Sequence, residues 1–388
     1  MRAGNGILSE YGTTIFEVMS RLAIEHGTIN LGQGFPDQDG PEDVREMAAK
    51  SVVDGPNQYP PMLGVPELRQ AVADHDSRFY GIDVDWQSEV MVTSGATESL
   101  AACLFALIEP GDEVVLFEPL YDSYVPIVRR AGGIPKFVTL APPDWRLDPA
   151  ALDAAFSDAT KLVLFNNPMN PTGKVFTKAE LAAIAERAVA CDAFMIADEV
   201  YEHISFAAEG FTSMISMPGM RERTMRIGSA GKTFSLTGWK VGYTTAAPEL
   251  LRLVAKAHQF LTFTTAPNLQ QAVAFGLNKD NVYFDGLAAD MRAKRDRIRG
   301  GLERVGFKPA VCDGTYFINA DFRPLGFNGT DEEFCRHITL EAGVTAVPVS
   351  AFYQSDAGAE ITHFARFCFC KQDAVLDEAI DRLTRHFA

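Results

Sequence analysis

Met225-Arg226-Ile227-Gly228-Ser229-Ala230-Gly231-Lys232-Thr233-Phe234-Ser235-Leu236-Thr237-Gly238-Trp239-Lys240-Val241-Gly242 opens as a short, nearly apolar run and continues through small residues to a lysine. Met225–Gly228 has the length of a strand, and Ser229-Ala230-Gly231 reads as the turn that leaves it. A lone lysine is ordinarily a solvated surface charge. Lys232 instead follows an apolar strand among small residues and aromatics. Partial desolvation there lowers an amine's pKa and makes it a usable nucleophile.

Upstream, the same punctuation recurs. Val90–Thr93 leads into Ser94-Gly95-Ala96-Thr97, Glu113–Phe117 into Glu118-Pro119-Leu120-Tyr121, and Leu162–Phe165 into Asn166-Asn167-Pro168-Met169-Asn170-Pro171-Thr172-Gly173. Phe194–Ala197 leads into Asp198-Glu199-Val200-Tyr201. Apolar runs alternating with helix-length stretches point to βαβ units, hence an α/β fold with a mostly parallel sheet covered by helices. Polar residues gathered at the carboxyl ends of such strands mark the edge where ligands bind. Beyond about Tyr283 the pattern changes. Residues 285–305 read as a long charged helix, and Thr315–Ala320 and Thr362–Phe369 as alternating strands. The expected organisation is a large domain over 41–282 and a smaller α+β domain built from 1–40 and 283–388.

Bulk properties narrow the function classes. A net charge of −16 over 388 residues argues against sequence-independent nucleic-acid binding, which needs a basic footprint. No run of about 18 apolar residues predicts a membrane span, and Met1–Gly12 lacks the apolar stretch of a signal peptide. The six cysteines, Cys103, Cys191, Cys312, Cys335, Cys368 and Cys370, form no Cys-x-x-Cys pair. They read as reduced thiols of a cytoplasmic protein, with no metal site expected. On a strand, Cys368 and Cys370 share a face.

The stretch around Lys232 resembles the cofactor-lysine signature of fold-type I aminotransferases (classes I and II). Ser229 lies three before the lysine, Phe234 two after it, and Gly238-Trp239-Lys240-Val241-Gly242 completes the pattern. The other strand ends match the family in order, and the resemblance covers almost the whole chain. It implies pyridoxal 5′-phosphate (PLP) as cofactor, bound covalently to Lys232. Asn170, in Asn170-Pro171-Thr172-Gly173, then serves the cofactor's phenolic oxygen and contacts substrate. Asp198 pairs with the ring nitrogen, and Tyr201 shares the phenolic oxygen. Gly95, Ala96, Thr97, Ser229 and Lys240 hold the phosphate, although the family more often has arginine at the last position. Tyr121 stacks on the cofactor ring, and Arg366, in Phe364-Ala365-Arg366-Phe367, holds the substrate carboxylate. Leu31-Gly32-Gln33-Gly34-Phe35-Pro36-Asp37 matches a substrate-side loop, with the Gly34 backbone near that carboxylate. Gln58-Tyr59-Pro60 matches a segment whose tyrosine reaches the neighbouring subunit's phosphate, which implies a homodimer. The loop sequences look nearest to kynurenine, glutamine and methionine aminotransferases, which makes Phe16 and Phe263 candidates for an aromatic side-chain pocket, each equally well read as a core residue.

The implied reaction is transfer of an amino group from an L-amino acid to a 2-oxo acid by ping-pong kinetics, with Lys232 as general base. A cysteine-conjugate or cystathionine β-lyase, or an N-succinyldiaminopimelate aminotransferase, uses the same residues. A P-loop nucleotidase is disfavoured. Gly231-Lys232-Thr233 mimics the end of a Walker loop, but the motif needs a glycine five before Gly231, where Arg226 stands.

Overall fold

Each of the five apolar runs is a strand in the computed structural model, which describes residues 4–388. They are β1 (Val90–Thr93), β2 (Glu113–Glu118), β4 (Thr160–Asn166), β5 (Phe194–Asp198) and β6 (Thr224–Ser229). Two more complete the sheet: β3 (Ile134–Thr139) and β7 (Gly242–Thr245). Sequence patterning missed both for physical reasons. β3 is an edge strand with Pro135 and Lys136 in it and is only half-buried. β7 is a four-residue piece, Gly-Tyr-Thr-Thr, with too few apolar side chains to show as a run.

The seven-stranded sheet runs in the order β1-β7-β6-β5-β4-β2-β3. β7 alone is antiparallel to its neighbours, while β6-β5-β4-β2-β3 pair in parallel. Register sets the site: Asn166 lies opposite Asp198, and Gly242 lies opposite both Thr93 and Ser229. The start of the antiparallel strand thereby joins the carboxyl ends of its two neighbours on one edge.

The C-terminal region carries an antiparallel four-stranded sheet, ordered Val347–Pro348, Phe364–Cys368, Phe317–Asp321, Lys308–Pro309. Ile29–Asn30 pairs with Val344–Thr345, which ties the N-terminal segment to this region. The long helix spans Asn281–Val305, four residues earlier than expected, because the Asp280 side chain accepts from the Val282 N–H and caps it there. The strand expected from Thr315 begins at Phe317, since Thr315 sits at φ 62°, outside extended backbone. All six cysteines are free, and the Sγ atoms of Cys368 and Cys370 lie 3.2 Å apart on a shared face. No helix among the described residues is long and apolar enough to cross a membrane.

Candidate active site

The carboxyl edge of the sheet opens into a cavity of about 440 Å³. Phe16, Gly34, Gly95, Ala96, Thr97, Tyr121, Asn170, Asp198, Tyr201, Ser229, Lys232, Lys240 and Arg366 all line it. These are every sequence-predicted site residue except Tyr59 and Phe263. Tyr59 is 85% exposed and meets the Phe263 ring edge-on at 5.8 Å. Phe263 lies outside this chain's cavity as well and is 41% exposed, so it is not a core residue either.

Lys232 leaves β6 on a four-residue helix, Ala230–Thr233. Its Nζ donates to the Tyr316 hydroxyl at 2.9 Å, which in turn donates to the Gly34 carbonyl at 2.7 Å. Burial disfavours the ammonium form and lowers the lysine's pKa. The Gly34 carbonyl is therefore occupied from within the chain. Tyr316 comes from the C-terminal region, eighty-four residues from the lysine, so no local pattern announced it.

Asp198 ends β5 and is buried. Its Oδ2 accepts from the Tyr124 hydroxyl at 2.5 Å, while Oδ1 is buried with no partner. Burial pushes its carboxyl up to about 6, against the lowering effects of Tyr124 and Lys232. Asn166, opposite it in register, donates to the Asp198 carbonyl at 2.8 Å and accepts from the Asn170 N–H at 2.6 Å, fixing the Asn170 loop to the strand end.

A backbone cradle stands beside these groups. The helix Ala96–Leu107 starts at Gly95, which has φ 81°; its first N–H groups have no intrahelical acceptors, and Gly95, Ala96 and Thr97 line the cavity. A Cβ at Gly242 would lie 2.6 Å from the Gly95 carbonyl carbon and 2.7 Å from the Ala96 nitrogen. Only glycine lets β7 pass this close to the helix start. Ser229 and Lys240 reach the same space.

Arg366 sits on the strand Phe364–Cys368 and is only 2% exposed. One NH group donates to Asn170 Oδ1 at 2.8 Å and the other to the Gly32 carbonyl at 2.7 Å. Its Nε is buried without a partner. Phe317, Phe352 and Phe16 surround the guanidinium at 3.9, 4.8 and 5.3 Å. Burial lowers its pKa to about 10, so it stays charged at neutral pH. A fully buried cation with no carboxylate partner is set for an external anion.

The cavity asks for a ring with a cationic nitrogen facing the orphaned Asp198 Oδ1, an anion seated at the helix start, and a carbonyl within reach of a weakly basic lysine. PLP has all three, and the residues present fit it, which places the chain among PLP-dependent enzymes of the α/β kind. Residues 26–383 match the sequence family described as "Aminotransferase class I and II", and the chain belongs to that family. It is similar to the solved N-succinyldiaminopimelate aminotransferase of Mycobacterium tuberculosis, with 44% identity, a TM-score of 0.95 and full coverage of both chains. It is 41% identical to the methionine aminotransferase of Escherichia coli, covering 97% of this chain and 96% of that one. It is 38% identical to human kynurenine–oxoglutarate transaminase 3, covering 93% and 85%. The protein is a PLP-dependent aminotransferase of fold type I.

Sequence reading missed Tyr124, Tyr316, Asn166, Gln33 and Asp122, all placed at or beside the site. Tyr124 had a signal, three residues after Tyr121 on the first turn past β2. Asn166 had one too, at the very end of β4.

Proposed function

We propose that this enzyme takes its amino group from an L-amino acid with a long uncharged side chain, such as methionine, glutamine, an aromatic or a kynurenine-like donor. The carrying observation is the cavity's cation inventory. Among the described residues the only cations lining it are Lys232, Lys240 and Arg366, and each has a task in transamination. None is left for a second carboxylate, whereas Phe16, Phe35 and Gln33 offer apolar surface and one amide.

Bound PLP supplies the electron-accepting ring that makes the substrate α-proton removable. Lys232 would hold the cofactor and, once freed, would take and return the substrate α-proton, a transfer that typically contributes 10²–10⁴-fold. Asp198 would keep the ring nitrogen protonated, Asn170 and Tyr201 would hold the phenolic oxygen, and Tyr121 would help hold the ring. Gly95, Ala96, Thr97, Ser229 and Lys240 hold the phosphate. Arg366 grips the substrate carboxylate beside the Gly34 backbone. The test is a half-reaction panel, with absorbance followed as each amino acid is added to PLP-loaded protein. Methionine, glutamine and aromatic donors are expected to react at least tenfold faster than aspartate. Equal or faster reaction with aspartate would refute the assignment. In the same panel, Arg366→Ala should weaken every donor roughly 10- to 150-fold, the loss of one bidentate charge-assisted contact. Unchanged apparent affinity would remove Arg366 from that role.

A second reading is favoured by the likeness to the M. tuberculosis enzyme. N-succinyldiaminopimelate carries a distant carboxylate, which would need a cation from outside this chain's cavity. Preference for that donor over methionine would select this reading. Pyruvate formed from cysteine conjugates without an added 2-oxo acid would select β-lyase chemistry instead.

The functional unit we propose is a homodimer in which Tyr59 reaches the phosphate of the neighbouring site. Its exposure and its place outside its own cavity support this. Mixing Lys232→Ala subunits with Tyr59→Ala subunits should regain activity, since hybrid dimers contain one intact site. No regain on mixing would place Tyr59 in its own chain's site or nowhere in catalysis.

A further inference from the structure

We propose that His75, Glu202 and His203 form a site for one divalent transition-metal ion of the imidazole-binding kind, with zinc as the case to test. None of the three lines the cofactor cavity. His75 comes from the helix Pro66–Tyr80, while Glu202 and His203 directly follow Tyr201. Sequence reading expected no metal from the scattered cysteines, and the two histidines, 128 residues apart, share no ligand-spacing motif that would draw attention to them.

The geometry converges. His75 Nε2 and His203 Nε2 lie 2.7 Å apart, and one ligand atom from each of the three residues lies within 4.8 Å of the others. Only one proton fits between two ring nitrogens so placed. Two lone pairs meeting on an ion is the alternative arrangement, with Zn–N bonds of about 2.0–2.1 Å. Tetrahedral coordination then requires the nitrogens to separate only to about 3.3 Å. On the far side of His75, Nδ1 is buried, has no hydrogen-bond partner and stands 3.7 Å from Asp76 Oδ1. With Nε2 on a metal, Nδ1 carries the proton and faces that carboxylate, the arrangement that orients metal-bound histidines.

Charge points the same way. Arg226 is fully buried among Asp76 at 2.8 Å, Glu199 at 2.8 Å and Glu202. Three buried acidic side chains thus share one guanidinium, so acidic groups outnumber cations here, surroundings that suit a bound cation. Glu202 Oε2 takes Arg226 and Tyr80, but Oε1 accepts only from the Tyr243 hydroxyl at 3.1 Å and retains a lone pair. Phe79 and Phe284 pack against the His203 ring at 4.8 and 4.5 Å and restrict its rotation. His203 is half-buried rather than sealed in the core, and a water would complete a tetrahedral set as fourth ligand. Such an ion would clamp the helix Pro66–Tyr80 to the segment that presents Asp198 and Tyr201. Its role is structural support of the cofactor site, independent of which donor the enzyme uses.

The test uses tag-free, PLP-loaded full-length protein dialysed with Zn²⁺, and Co²⁺ as a spectroscopic probe. Wild type should retain one zinc per chain and show a Co²⁺ d–d band. His203→Ala and His203→Asn should bind at least tenfold more weakly. His386→Ala, which removes half of a separate pair with His337 at 3.0 Å, should bind normally. Unchanged binding in both folded His203 variants, or loss in His386→Ala instead, overturns the proposal. Wild-type retention below about a tenth of an equivalent overturns it whatever the variants do.

Discussion

Lys232→Ala abolishes transamination with every donor and acceptor, while the protein stays folded. The amine is both the anchor for the cofactor and the base at the α-carbon. Loss of general-base catalysis alone costs roughly 10²–10⁴-fold, and loss of the covalent anchor adds to it. Stability should change little, because the buried amine has a single hydrogen-bond partner, Tyr316, and its burial already opposes the charged form. Steady-state assay with coupled detection of the 2-oxo product checks the rate, and thermal melting checks the fold. A variant with more than about a hundredth of the wild-type rate would remove the lysine from its role as base.

The second large effect belongs to Asp198→Asn. Turnover should fall by at least 10²-fold, since an amide cannot hold the ring nitrogen in its protonated form. The cofactor-free protein should respond quite differently. Folding raises the Asp198 carboxyl from 3.8 to about 6, so the folded state keeps that proton longer than the unfolded chain does. The sign follows: this group's stabilising contribution is present below about pH 4 and is lost as pH rises through about 6. At pH 7.5 the ionised, half-partnered carboxylate costs the apoprotein about 3 kcal/mol. Asparagine removes that cost but leaves an amide N–H buried without an acceptor, at about 1–3 kcal/mol. The two nearly cancel, so apo Asp198→Asn should match apo wild type at pH 7.5 to within about 2 kcal/mol and lack its decline between pH 4 and 6. A loss of about 3–5 kcal/mol, typical of breaking a satisfied buried pair, would mean that Asp198 is structural and not held ready for a cation.

Much of the site was legible because its residues sit at strand ends. An apolar run that stops at Asp198 or Ser229 reports both the strand and the point where its side chains emerge. Register then does the assembly, placing Asn166 against Asp198 and Gly242 against Ser229. What escaped depends on contacts between distant segments. Tyr316 reaches Lys232 from just before the strand Phe317–Asp321, and Arg226, which reads as one charge in an apolar strand, is paired with Asp76, 150 residues earlier. Nothing local in Met225–Gly228 tells that this arginine is buried. β3 and β7 were missed because an edge strand tolerates proline and lysine, and a short threonine-rich strand has no apolar run. Tyr59 was readable only through the family resemblance. Within one chain its geometry shows exposure and nothing of a partner.

The central claim is that Lys232 carries the cofactor, and chemical trapping tests it most directly. PLP-loaded protein is reduced with borohydride, digested, and its peptides weighed. The reduced adduct should fall on the peptide containing Ser229-Ala230-Gly231-Lys232, and digestion with trypsin should skip the bond after Lys232. Adduct on another lysine, or none after PLP is supplied, would contradict the assignment of the site and the mechanism built on it.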